Sequence, residues 1–169
     1  KRGIGDIDTL TVREYQALPR GRRLAYRLYR TPLVIFVVGP AFQFLLRNRL
    51  PQGIRREDWG NWVSAMGTNI MIILAAGLMI YAIGPEPFLL VHLPIILLAS
   101  SIGVWLFYVQ HQFEDTYWSE DQNWNLQDSA LHGSSHYALP QPLRWLTANI
   151  GIHHVHHLQS RIPYYRLPQ

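Results

Sequence analysis

The chain has 169 residues, is 49% hydrophobic and only 15% charged, and contains no cysteine. That length fits one domain, and the missing cysteines exclude a disulfide framework and any thiolate metal site, so a transition metal would need imidazole and carboxylate ligands. The net charge of +4 is uneven: residues 1–61 hold twelve of the fifteen Lys/Arg against five acids, whereas residues 111–169 hold three Arg against five acids. Nucleic acid is one partner for a basic half, but the apolar runs beside it favour a membrane surface.

The chain starts at Lys1 with "KRGIGDIDTL" and shows no signal-peptide pattern. It reads as the middle of a longer protein whose first part lies upstream. In "TVREYQALPRGRRLAYRLYR", Thr11 and Glu14 have capping-box spacing, and Pro19 and Gly21 are expected to interrupt the helix. The basic amphipathic stretch Arg22–Arg30 suits anionic lipid headgroups and equally a solvated helix face.

Three apolar runs follow. Thr31–Leu46 is short, contains Gly39-Pro40 and has arginines on both flanks, so it reads as an interfacial or re-entrant segment. Asn61–Gly84 and Pro87–Gln110 lack Asp, Glu, Lys and Arg, and each approaches or exceeds the roughly 20 residues that span a bilayer core as a helix. Only "GPEP" (84–87) separates them, which predicts a helical hairpin with both outer ends on one side. Trp59, Trp62, Trp105 and Tyr108 mark those ends as interfacial belts, and Arg47, Arg49, Arg55 and Arg56 place them in the cytoplasm.

Beyond the hairpin the chain turns polar and histidine-rich. "HQFEDTYWSEDQNWNLQDSALHGSSHYALP" reads as mixed helix and loop, and "QPLRWLTANIGIHHVHHLQS" as helix from about Pro142. Four of the eight histidines sit in "GIHHVHHL": His153, His154, His156 and His157. At about 100° per residue, His153, His156 and His157 share one face, but His153, His154 and His157 fit an arc just as narrow. Either triple aims three imidazoles at one metal, and imidazole suits Zn, Fe, Cu and Ni alike. An interfacial or pH-sensitive patch is the plainer alternative. His111, at the end of the third run, is a further candidate ligand, with Glu114 and Asp115 nearby. His132 and His136 flank "GSS" and either could ligate, Asn149 could face the site four residues before His153, and His92 within the third run reads as structural.

His153-x-x-His156-His157 after a membrane hairpin resembles the third histidine box of membrane fatty acid desaturases. "FYVQHQFEDTYW", "HGSSHYALPQPLRWLTANIGIHHVHHLQSRIPYY" and the opening "KRGIGDID" are similar to bacterial acyl-lipid desaturases of the delta-12/omega-6 type, over essentially the whole chain. The resemblance implies an all-α membrane protein: a basic interfacial segment (1–61), transmembrane helices at 61–84 and 87–110, and a cytoplasmic histidine-bearing helical cap (111–169). It assigns the box to His153, His156 and His157, leaves His154 as a secondary contributor, and favours His111 as a further ligand, with His132 next.

The family carries three histidine boxes that bind two non-haem irons. Only the third is present here, so the chain looks like the C-terminal portion of a desaturase, inactive on its own. The resemblance further implies a lipid acyl substrate, O2, an external electron donor of the ferredoxin or cytochrome b5 kind, no nucleic acid, and the bacterial inner membrane. A related hydroxylase or carotenoid ketolase, and a His-rich membrane metal-binding or transport protein, are the rival readings.

Overall fold

Every regular element among the described residues of the computed structural model (7–50, 58–117, 119 and 124–168) is helical, apart from one antiparallel bridge between His136 and Ile152. Arg55 and Arg56, the first six residues of the opening string and Trp118 lie outside the described residues. The chain divides into two compact units, up to Val104 and from Trp105.

In the first unit, helix α1 (Val12–Ala17) begins with the expected capping box: Glu14 N–H donates to Thr11 Oγ1 at 3.3 Å, and Thr11 N–H to Glu14 Oε2 at 2.8 Å. Pro19 breaks the helix by forcing Leu18 into an extended conformation, with φ −69° and ψ 144°. Gly21 does not break it but lies inside helix α2 (Arg20–Tyr29), because glycine keeps its N–H and costs a helix only about 1 kcal/mol. Three tyrosines tie this region together. Tyr29 and Tyr26 hydroxyls accept from the backbone N–H of Asp8 (3.0 Å) and Leu10 (3.1 Å), and Arg27 Nε donates to the Tyr15 hydroxyl at 2.6 Å.

The first apolar run forms a π-helical turn, Val34–Val38, that leads into helix α3 (Gly39–Leu45). Pro40 explains the widened turn. It has no N–H, and its ring crowds the carbonyl four residues back, so the preceding bonds shift to i−5, with Gly39 N–H reaching Val34 O. The axis bends by 62° between α2 and Val34–Arg49. A 3₁₀ turn, Arg47–Arg49, follows α3, and Asn69 donates its side-chain amide to the Arg49 carbonyl.

Two long apolar helices come next: α4 (Trp59–Ile83) and α5 (Pro85–His111). The expected four-residue turn shrinks to Gly84, whose φ of +87° favours glycine. Pro85 and Pro87 fit inside the first turn of α5, where no N–H is needed for the ladder. None of the apolar window of α4 is buried by the chain itself, and only 11% of that of α5. Helices of 25 and 27 residues with their apolar surfaces uncovered are suited to hydrocarbon as solvent, and both qualify as membrane spans by length and composition. His92 stacks on Phe88, one turn earlier, with ring centroids 4.7 Å apart.

The second unit contains the last turns of α5, then α6 (Leu126–His132), α7 (Gln141–Leu146) and α8 (His153–Leu158). Asn125 caps α6, accepting from Asp128 N–H at 2.7 Å, and α6 packs on α8. The helix expected from Pro142 onwards is split. Ala148 and Asn149 take left-handed conformations (φ 53° and 55°), and the chain then straightens to form the His136–Ile152 bridge. Tyr137 N–H donates to Gly151 O at 2.8 Å, and a Cβ on Gly151 would run into the Tyr137 carbonyl. These backbone contacts outcompete helix continuation and give α8 a separate start.

Candidate metal centre

Three histidines from two elements converge in the second unit. His111 ends α5; His153 and His157 lie one turn apart on α8. Their Nε2 atoms form a nearly equilateral triangle: 3.1 Å from His111 to His153, 3.0 Å from His111 to His157, and 3.0 Å from His153 to His157. The ring planes cross at 75–83°, so the nitrogen tips meet without the rings stacking.

Proton accounting shows what this triangle suits. His111 Nδ1 lies 2.8 Å from the Phe107 carbonyl, which can only accept, so Nδ1 carries a proton and in the neutral ring Nε2 is a bare lone pair. His153 is buried, with 6% of its surface exposed, and its pKa is lowered to about 3. Burial is the main cause, followed by the neighbouring imidazoles of His111, His157 and His156; the Ile150 backbone opposes the shift weakly. His153 Nδ1 is buried without a well-formed hydrogen bond.

With one Nε2 bare and a second ring held neutral, the three short N–N contacts cannot all be hydrogen bonds. A cation resolves the conflict, because nitrogens at this spacing can each lie about 2.0–2.1 Å from a common ion, the usual metal–imidazole distance. The Phe107 carbonyl then does what outer partners of metal-bound histidines do, fixing tautomer and ring orientation. The all-imidazole donor set suits iron as well as zinc, copper or nickel.

The other candidates lie beside this triangle. His156 faces the His153 ring at 5.6 Å, nearly parallel at 28°, and 6.1 Å from His157, with its own tip outside the cluster. His154 points to a different neighbour, His136, at 5.8 Å, and its pKa is lowered by burial and then by that imidazole. His132 packs edge-on to Tyr117 at 6.5 Å, and its carbonyl accepts from Tyr117 N–H. Asn149 turns its side chain to the Tyr164 carbonyl at 3.0 Å. Glu114 and Asp115 are exposed.

Sequence reasoning missed the residues that hold His111 and α8 in place. Gln110, 1% exposed, donates through Nε2 to the Ile150 carbonyl at 3.0 Å. Ser135 donates its N–H to the Gln110 carbonyl (2.9 Å) and its hydroxyl to the Val109 carbonyl (3.2 Å), capping the end of α5. A glutamine beside a histidine carries no periodic signal, although an uncharged polar residue ending an apolar run is a visible oddity.

A family model for fatty acid desaturases matches residues 2–169. A curated fatty acid desaturase of Bacillus subtilis (strain 168) is 51% identical over 168 residues, covering 99% of this chain and 47% of that protein. The chain thus spans about half the length of the curated relative it matches. No solved structure matches it.

Proposed function

The chain belongs to the fatty acid desaturase family, and from that premise we propose that it is the C-terminal part of a membrane di-iron desaturase that introduces a double bond into a lipid acyl chain. The observation that carries the proposal is the Nε2 triangle of His111, His153 and His157, sited where an apolar helix of spanning length ends. In this reading those three hold one iron. His156, whose ring tip lies outside the triangle, takes part in holding a second, together with donors from beyond this chain.

The chemistry requires such a centre. An unactivated methylene C–H resists side-chain acids and bases, and bound iron supplies the oxidising power by activating O2. The reaction balances as one –CH2–CH2– unit, O2, two electrons and two protons giving one –CH=CH– unit and two waters. The electrons come from an external donor of the ferredoxin or cytochrome b5 kind. This chain's own residues have three tasks. Neutral imidazoles present lone pairs to the metal, since protonated rings could not bind it. The Phe107 carbonyl holds the His111 ring proton away from the metal side. The uncovered faces of α4 and α5 embed the protein in the bilayer of the inner membrane, where its acyl substrate resides, with both ends of the hairpin cytoplasmic.

A transport function needs polar side chains lining a path, and the two spans offer few beyond Asn69, Ser100 and Ser101; Asn69 is engaged with the Arg49 carbonyl and Ser100 with the Leu97 carbonyl at 3.0 Å. The test is lipid mass spectrometry of a desaturase-deficient host expressing the complete protein and its His157→Ala and His156→Ala variants. Acyl chains lacking two hydrogens should appear with the parent and vanish with either variant. An added oxygen would indicate a hydroxylase or ketolase. Metal flux with unchanged lipids, or full activity in both variants, would overturn the proposal.

A further inference from the structure

In the second unit a buried side chain joins the end of α5 to the turn before α8, the two stretches that supply the ligands. Gln110 precedes His111 on α5 and is 1% exposed. Its amide donates directly to Ile150 O at 3.0 Å, while Ser135 bonds to the α5 end and His136 and Tyr137 pair with the 151–152 backbone. Ile150 stands three residues before His153, in the turn that launches α8. The bond therefore runs parallel to the His111–His153 contact and spans nearly the same sequence separation, 40 residues against 42.

We infer that Gln110 is a positioning residue for the histidine triad: its amide sets the distance between the His111 tip and the His153/His157 pair. This rests on the reading of the triad as a metal centre. An amide suits this site because it is uncharged and donates to the Ile150 carbonyl. A carboxylate of the same shape presents oxygen to the Ile150 carbonyl and repels it. An apolar side chain of the same length takes the amide donor away from that part-buried carbonyl, and the turn relaxes to replace it. A shift of a few tenths of an ångström at Ile150 is passed to His153 through three residues of backbone held by the bridge to His136. The His153 and His157 tips, fixed to each other by one helical turn, would move together relative to His111.

The experiment is a Co2+ titration of the metal-free full chain in detergent, read by visible absorption, with the parent chain and the variants His153→Ala, Gln110→Glu and Gln110→Met. The parent should bind and show the cobalt ligand-field bands, and His153→Ala should lose them. Gln110→Glu should bind roughly 10–100-fold more weakly, the range typical of lost outer support at metal sites. Its band positions or intensities should also change, because ligand spacing has changed; a purely structural role would leave the spectrum of the bound fraction unaltered. Gln110→Met keeps the packing volume without the donor, and carries the test if the glutamate variant does not fold. If the parent binds no Co2+, or His153→Ala binds as the parent does, the metal reading itself falls. If both of those controls behave as expected and the folded Gln110 variant matches the parent in affinity and spectrum, the positioning role is overturned and the metal reading stands.

Discussion

His111 Nδ1 donates to the carbonyl of Phe107, 2.8 Å away and one turn earlier on α5, and this places the ring proton on the nitrogen that does not meet His153 and His157. The remaining nitrogen is thus committed to acceptance before any ion arrives. Nitrogen-15 NMR of histidine-labelled, metal-free chain should show His111 as the Nδ1–H tautomer at neutral pH, with a bare Nε2. A dominant Nε2–H form would contradict the geometry.

The lowered pKa of His153 makes acid a destabilising condition. Its ring takes up a proton near pH 3 in the folded chain but near 6.5 when unfolded. Between those values the unfolded chain binds more protons, so stability should fall as pH drops below about 6.5 and continue falling towards about 3. Denaturant unfolding of the metal-free chain at stepped pH, followed by near-UV circular dichroism, measures this. His153→Gln, which cannot titrate, should flatten part of the slope.

Gly151 packs against the Tyr137 carbonyl so closely that no side chain fits. Gly151→Ala should cost about 1–3 kcal/mol through overpacking. It should also weaken Co2+ binding, because the displaced backbone leads directly into His153. Stability and affinity unchanged from the parent would show that the backbone gives way without moving α8.

Because these 169 residues hold no cysteine, single cysteines introduced into this chain report its membrane disposition by comparison with the unsubstituted parent. In intact cells, Glu86→Cys at the start of α5 should react with a membrane-impermeant maleimide added outside. Glu114→Cys, just past the other end of that helix, should react only after lysis. The reverse pattern would invert the topology, and equal reaction of both would remove α5 as a span.

Much of this was legible in the sequence because it depends on local rules. The capping box of Thr11 and Glu14 follows from spacing alone, and the long charge-free runs announce α4 and α5. The i, i+4 relation of His153 and His157 is a property of any helix. What local rules could not supply is the third corner. Helical geometry left two triples open, and the family resemblance placed the box on His153, His156 and His157 with His111 as a further ligand. The structure brings His111 to His153 and His157 and leaves His156 beside them, a tertiary choice made 42 residues away. The break at Ala148 and Asn149 was equally hidden, since neither residue is a strong helix breaker. The His136–Ile152 bridge and the tight fit at Gly151 force the turn there.

A metal shared by His111, His153 and His157 would also act on the chain as a clasp. It would tie residues 42 and 46 positions apart within a stretch of 169 residues that has no cysteine to form a disulfide. Closing a loop of that length removes unfolded-state entropy worth on the order of 4 kcal/mol in the chain-entropy account of cross-links. Loading the site would then lock the whole segment from the end of α5 to α8, so that loss of the metal loosens α6 and α7 along with the ligands themselves.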